Sequence, residues 1–192
     1  MRVAGLVASP RKGSNTDVLV ERILDGCRDA GAATVKIYLN DLEIRPCQAC
    51  KVQDGKGCRI HDGMDGIYEA IQTVDGMVLG TPVYYNAVSS QMKLMLDRCQ
   101  CLARPVVLPS GRTVYASAVA KAKQGILVSV GGSGLNPECV LPTFDIWSPE
   151  INLRIVDRIL VTRAQLGRAP MEDPGLLDRA FAMGRAFAQR LG

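Results

Sequence analysis

Apolar residues in this chain fall into two alternating patterns: short unbroken runs, and longer stretches with helical spacing. Val3 to Ala8 is a run of strand length, and Val18 to Ala30 carries apolar residues a helical turn apart until Gly31 stops it. Thr34 to Leu39 alternates in the manner of a strand. Met64 to Thr73 predicts a short helix, with Ile67, Ala70, Ile71 and the following Val74 on one side. Asp75 to Gly80 predicts a third strand, ended by Thr81-Pro82, with Val83-Tyr84-Tyr85-Asn86 as a loop. Ser89 or Ser90 caps a helix that runs to about Ala103 and turns Met92, Met95, Leu96 and Cys99 inward.

Further along, Val106-Val107-Leu108 and Thr113-Val114-Tyr115 flank Pro109-Ser110-Gly111, the spacing of a small hairpin. Gly125 to Val130 predicts a fourth strand, ended by Gly131-Gly132-Ser133-Gly134. Pro137 opens a helix through about Trp147, and Ile155 to Thr162 predicts a fifth strand. Asp173-Pro174 is a cap followed by proline at the first helical position. The last helix carries Leu177, Phe181, Gly184, Phe187, Ala188 and Leu191 at helical spacing. Asn40 to Asp62 is long for a connection and holds Pro46, Cys47, Cys50 and Cys58.

Strands alternating with amphipathic helices predict an α/β fold, a parallel sheet covered on both faces. Ligands of such sheets bind outside the carboxyl ends of the strands. Three segments leave the sheet there: Ser9–Thr16, Thr81–Asn86 and Gly131–Gly134.

The first of them, Ser9-Pro10-Arg11-Lys12-Gly13-Ser14-Asn15-Thr16, joins a strand to a helix start. The first N–H groups of a helix lack internal partners and suit an anion. Ser14, Asn15 and Thr16 add donors, Arg11 and Lys12 add charge, and Gly13 lets the backbone turn tightly. The loop lacks the Gly-Lys-Ser/Thr ending of a nucleotide-triphosphate loop and the G-x-G-x-x-G spacing of a dinucleotide loop. On these residues it is either a cradle for a terminal monophosphate or a capped helix behind a solvated basic loop. The second segment offers a proline, two tyrosines and an asparagine, suited to packing beside a flat ring. The third is glycine-rich and lets backbone N–H groups reach a ring edge.

The length of 192 residues predicts one domain, residues 1–192, with a sizeable core. Lys and Arg number 23 against 19 Asp and Glu, but they are scattered and not interleaved with aromatics, which argues against nucleic acid. No apolar segment is long enough to span a bilayer, and the chain enters a strand at once, so the expected compartment is the cytoplasm. Seven cysteines, an odd number, argue against a disulfide framework. Cys27 lies on the apolar face of the first helix; Cys99, Cys101 and Cys139 show no ligand spacing. His61 reads as a surface histidine, Asp97-Arg98 as a local ion pair at a helix end, and Trp147 as partly buried and structural.

Four motifs stand together in this chain. They are Ser9–Thr16, Pro46-Cys47-Gln48-Ala49-Cys50, Asp75-Gly76 through Gly80-Thr81-Pro82-Val83-Tyr84-Tyr85, and Gln91-Met92-Lys93 through Leu96-Asp97-Arg98. In that combination nearly the whole chain resembles the flavodoxin-like NAD(P)H-dependent FMN reductases, most closely the branch of the iron-sulfur flavoproteins. The resemblance implies a flavodoxin-like three-layer sandwich with a five-stranded parallel sheet. It implies FMN as cofactor, with Ser9, Arg11, Ser14, Asn15 and Thr16 at its phosphate. Pro82, Val83, Tyr84, Tyr85 and Asn86, then Gly131, Gly132, Ser133 and Gly134, would hold its ring. It further implies NAD(P)H as co-substrate, a small acceptor such as a flavin or quinone, and a homodimer or homotetramer in which a neighbour covers the ring. The flavin carries the chemistry, so no catalytic side chain is expected. The alternative is an FMN electron-transfer protein acting between protein partners.

One motif departs from the family. Iron-sulfur flavoproteins carry four cysteines in a compact run; here Cys47, Cys50 and Cys58 occupy the first, second and fourth places and Gln53 the third. A neutral amide is a poor iron ligand beside thiolates. The expectation is therefore a loop without a stoichiometric cluster and without bound metal.

Overall fold

A computed structural model describes residues 1–50 and 57–192. The chain begins with β1 (Arg2–Val7), α1 (Asn15–Asp29), β2 (Ala33–Tyr38), α2 (Met64–Thr73) and β3 (Gly76–Tyr84). A short β4 (Ala87–Val88) leads into α3 (Ser90–Arg98) and the hairpin β5 (Ala103–Val107) and β6 (Thr113–Ser117). The second half is β7 (Lys123–Gly131), α4 (Leu141–Glu150), β8 (Leu153–Thr162), the single turn α5 (Arg163–Leu166) and α6 (Pro174–Leu191).

The sheet order is β2-β1-β3-β7-β8, all parallel, with β4 turned back antiparallel on β3. This is the flavodoxin-like order, whose switch point lies between β1 and β3. The expected five-stranded parallel sheet is present, and β4 is the strand the pattern did not reveal. β5 and β6 pair with each other as the expected hairpin, apart from the main sheet.

Central strands buried on both faces give continuous apolar runs, and β3 is buried from Gly76 to Val83. One face packs Leu19, Val20 and Ile23 of α1 with Leu176, Ala180 and Phe187 of α6. The other packs Ile67 and Ile71 of α2, Met92 and Met95 of α3, and Phe144 and Trp147 of α4. The Trp147 ring stands edge-on to Phe144, 6.0 Å between centroids, and is 4 % exposed, so its role is in this core.

Thr81-Pro82 does not end β3. The carbonyl of Gly80 faces β1, where it accepts from Ala8 N at 2.8 Å, whereas that of Asp75 faces β7. Alternation along a strand therefore points the nitrogen of Pro82 to the β1 side, beyond the last β1 residue in register, Val7. The missing N–H is therefore not one that pairs with β7, and pairing with β7 continues through Pro82↔Val130.

Lys123, at the start of β7, is a buried cation with no carboxylate partner among the described residues. Its Nζ donates to Lys121 O at 2.8 Å and Ile151 O at 2.9 Å, while Lys121 takes Asp75. Burial, then repulsion from Lys121, pulls its pKa down to about 8. The unfolded chain then binds more protons than the folded one above pH 8, so stability rises with pH. Buried thiols such as Cys27, pushed up to about 11, act in the opposite sense above their ordinary value. The expected result is that wild type gains about 1 kcal/mol relative to Lys123→Met between pH 8 and 9, the thiol contributions being common to both; urea unfolding of the two proteins at several pH values measures it, and parallel pH profiles would contradict it.

Candidate functional site

Val7 pairs with Gly80, and Pro82 with Val130, so the loops after β1, β3 and β7 all leave the sheet at its carboxyl edge. That edge also receives the N-terminus of α1, the positive end of its dipole. Gly80 sets how closely α1 sits: a Cβ there would stand 2.5 Å from Val20 Cγ2 and 3.0 Å from Thr16 Cγ2.

The first loop is built tightly. Ser14 caps α1, its Oγ accepting from Asp17 N at 3.4 Å, and Gly13 takes a φ of 69°. Ser9 is buried; its Oγ accepts from Ser14 Oγ at 2.9 Å and from Arg11 N at 3.2 Å. Asp17 would oppose an anion at this helix start, but its carboxylate is taken up. It accepts from Gly13 N at 2.7 Å, Lys36 Nζ at 3.0 Å and Tyr38 Oη at 3.0 Å. Thr16 is buried, and Asn15 Oδ1 accepts from Met171 N at 3.4 Å. Lys12 is engaged by Asp41 at 2.7 Å. Arg11 is exposed, and among the described residues its guanidinium has no ion-pair partner.

The second loop is a two-residue hairpin turn. Val83 pairs with Val88 and Tyr84 with Ala87, while Tyr85 and Asn86 take φ values of 50° and 54°. Positive φ at both central positions is the type I′ turn that matches strand twist. It leaves the Tyr85 side chain 100 % exposed and Tyr84 41 % exposed. Pro82 and Val83 are buried, Val83 within the core, so they offer backbone rather than side chains. Ser89 ties the turn to the first loop by donating to Ala8 O at 2.8 Å.

In the third loop, Gly131 is buried and a Cβ there would stand 3.0 Å from Leu135 O; Gly132, Ser133 and Gly134 are exposed. All three candidate segments thus share one edge, and Arg11, Tyr84, Tyr85, Asn86 and Gly132–Gly134 are the members open to a ligand.

A larger groove, about 750 Å³, lies at the opposite edge between Asp75, Lys123, Asn152, Leu153 and Arg190. It is formed by strand starts and the C-terminal end of α6, where dipoles are negative and backbone donors are spent. The carboxyl edge is the stronger candidate for an anion.

The cysteine loop differs from its reading in sequence. Asp97 pairs with Lys93 at 2.6 Å, not with Arg98. Arg98 is fully buried and reaches back to Asp62 at 2.7 Å, Arg45 O at 2.8 Å and Ile60 O at 2.9 Å. Because the chain turns at the end of α3, Cys101, which spacing separated from the loop, lines one cavity of about 260 Å³ with Cys47, Cys50 and Cys58. Gln53 lies outside the described residues. Among the described residues no three Cys, His, Asp or Glu side chains converge where a metal ion could sit. The Cys101 thiol donates to Arg98 O at 3.3 Å. His61 is exposed, with Nδ1 3.3 Å from Asp65.

Comparison with known proteins bears on the whole arrangement. The profile of the NADPH-dependent FMN reductases matches residues 1–163. An iron-sulfur flavoprotein of Methanosarcina thermophila is 33% identical over 69% of this chain and 64% of its own length. One from Methanocaldococcus jannaschii is 39% identical over 53% of each, so the chain spans about half to two thirds of these relatives. A Bacillus subtilis protein named as an NAD(P)H-dependent FMN-containing oxidoreductase is 30% identical over 72% of this chain and 70% of its own. Among solved structures, an NAD(P)H:quinone oxidoreductase from Methanothermobacter marburgensis superposes on 100% of this chain and 99% of its own, with TM-score 0.71 and 13% identity. That likeness is one of fold. Among the described residues no helix is long and apolar enough to cross a membrane.

Proposed function

Because this chain belongs to the NADPH-dependent FMN reductase family, we propose that its carboxyl edge binds FMN and that the protein passes electrons from NAD(P)H to a small acceptor such as a flavin or quinone. The observation that carries the reading is the pairing, on one edge, of an exposed Arg11 at a helix start, without an ion-pair partner among the described residues, with the fully exposed Tyr85 on a hairpin turn. Bound FMN would supply the chemistry, taking a hydride from the nicotinamide and passing two electrons on. The chain's own residues bind and orient.

Backbone N–H groups of Ser14, Asn15 and Thr16 would meet the phosphate, and Arg11 would neutralise it. Ser9 shapes the loop through Ser14 and Arg11 N. Tyr84, Tyr85 and Asn86 would flank one side of the ring, with backbone from Pro82 and Val83. Gly131 to Gly134 would approach its edge, where a side chain would intrude. An aromatic side chain left wholly in water is a poor end state, and a second copy of the chain covering it would complete the site. A homodimer or homotetramer belongs to this reading, as does cytoplasmic location.

Removing a charge-assisted contact costs about 1.5–3 kcal/mol, so Arg11→Ala should weaken FMN binding roughly ten- to a hundredfold. Fluorescence titration of the apoprotein reads this directly. An unchanged affinity would remove Arg11 from the phosphate. A colourless protein that takes up no FMN would remove the whole reading.

A further inference from the structure

We propose that Asp17 and Lys36 are positioning residues of the first loop, and that their charge balance sets how strongly the loop prefers a flavin bearing a phosphate over the same flavin without one. The proposal rests on the reading that the carboxyl edge binds FMN. A carboxylate in the first turn of α1 suits the helix dipole, but it opposes an anionic ligand at the same place. The chain keeps the first effect and cancels the second with side chains from β2.

Asp17 is 5 % exposed and sits in the first turn of α1. Its Oδ2 accepts from Gly13 N at 2.7 Å, which ties down the residue whose φ is 69°. In return, Ser14 Oγ accepts from Asp17 N at 3.4 Å. The two bonds cross the loop in opposite directions, as in a capping box shifted by one residue. They use the Gly13 N–H inside the loop and leave those of Ser14, Asn15 and Thr16 for a ligand.

Lys36 and Tyr38 stand two residues apart on β2, so their side chains leave the same face of the strand. Both reach Asp17: Lys36 Nζ donates to Oδ1 at 3.0 Å, and Tyr38 Oη donates to the carboxylate at 3.0 Å. Lys36 also holds Glu21 at 2.5 Å, and Glu21 is held in turn by Arg28. Burial alone would lower the Lys36 ammonium, but Glu21, Tyr38 and Asp17 outweigh it and keep it above its ordinary value. The nearby Lys12 lies 5.0 Å over the Tyr38 ring and is taken by Asp41. Among the described residues, Lys36 is therefore the one cation paired with Asp17.

Without Lys36, the Asp17 charge would stand uncancelled at the helix end that receives the phosphate. A unit charge at that range alters the affinity for a phosphate roughly tenfold. Riboflavin has the same ring and side chain but a hydroxyl in place of the phosphate, so it carries no charge for Asp17 to oppose.

The test titrates the apoprotein with FMN and with riboflavin, follows flavin fluorescence, and reads the ratio of the two affinities. Lys36→Met should lower the FMN-to-riboflavin ratio roughly tenfold, with riboflavin affinity unchanged. Adding Asp17→Asn to Lys36→Met should restore the ratio, because the amide still offers Gly13 N an oxygen but carries no charge. Asp17→Ala removes charge and acceptor alike, and should bind FMN roughly tenfold less tightly than Asp17→Asn. That second comparison stands by itself if Lys36→Met fails to fold. A ratio unchanged in Lys36→Met, equal losses of both flavins, or equal FMN affinities of Asp17→Ala and Asp17→Asn would each overturn the proposal while leaving FMN binding at this edge in place. Wild-type protein that takes up neither flavin, or binds both equally, would overturn the reading of the edge and this proposal with it.

Discussion

Gly184→Ala is expected to destabilise the protein by about 2 kcal/mol or more, against the direction of helix propensity. Gly184 lies inside α6 and Gly26 inside α1, and the two helices cross there. A Cβ on Gly184 would stand 1.9 Å from Ile23 O and 2.7 Å from Ile23 C; one on Gly26 would stand 2.0 Å from Phe181 O. These are backbone atoms, which cannot swing aside as a side-chain end can. The close approach also lets Cys27 Sγ donate to Gly184 O at 3.3 Å.

In an open helix, exchanging Gly for Ala gains about 0.5–1 kcal/mol. At this crossing the methyl group must push the helices apart, undoing the contacts of Ile23, Ala180 and Phe187. Gly66, in α2 with nothing within 4 Å of its Cβ position, is the matched control. Gly66→Ala should stabilise slightly, while Gly184→Ala should lower Tm by roughly 4–8 °C. Equal and opposite-to-expected shifts in the two variants would show that α1 and α6 do not pack this closely.

That crossing also marks what the chain discloses unaided. Periodicity places Gly184 on the apolar stripe of the last helix, but it does not say that the stripe meets a second glycine across a gap. The strands and helices, the hairpin and the caps at Ser89 and Asp173 were legible because each depends on neighbours in sequence. The I′ turn at Tyr85-Asn86 was not, since tyrosine at positive φ runs against propensity and is imposed by pairing of Val83 with Val88. Arg98 was misread for a similar reason. An Asp-Arg pair in sequence suggests a local contact, whereas adjacent helical residues point to different faces. Arg98 points inward, and its partner is 36 residues away.

Asp62→Asn should therefore cost about 2–3 kcal/mol at pH 7, with the difference from wild type vanishing as pH falls toward 2. The Asp62 side chain is 7 % exposed and lies 2.7 Å from Arg98, whose own side chain is fully buried. Its carboxylate also accepts from Arg45 N and Met64 N, each at 3.0 Å. Burial alone would raise this carboxyl; Arg98, then the Met64 and Arg45 N–H groups, outweigh it and hold it at about 2. A carboxyl depressed on folding contributes its full stability above its unfolded value of 3.8 and loses it as pH falls through the folded value. Asp62→Asn keeps an acceptor but removes the charge, leaving a buried guanidinium uncompensated and loosening the tie between the cysteine loop and α3. Replacing both partners by apolar residues, Asp62→Leu with Arg98→Met, should be milder than either change alone, because no charge is then stranded. Denaturant midpoints of the two single variants and the double variant decide it. Additive losses would mean that Asp62 and Arg98 act independently, and that the loop is held in place by something other than this pair.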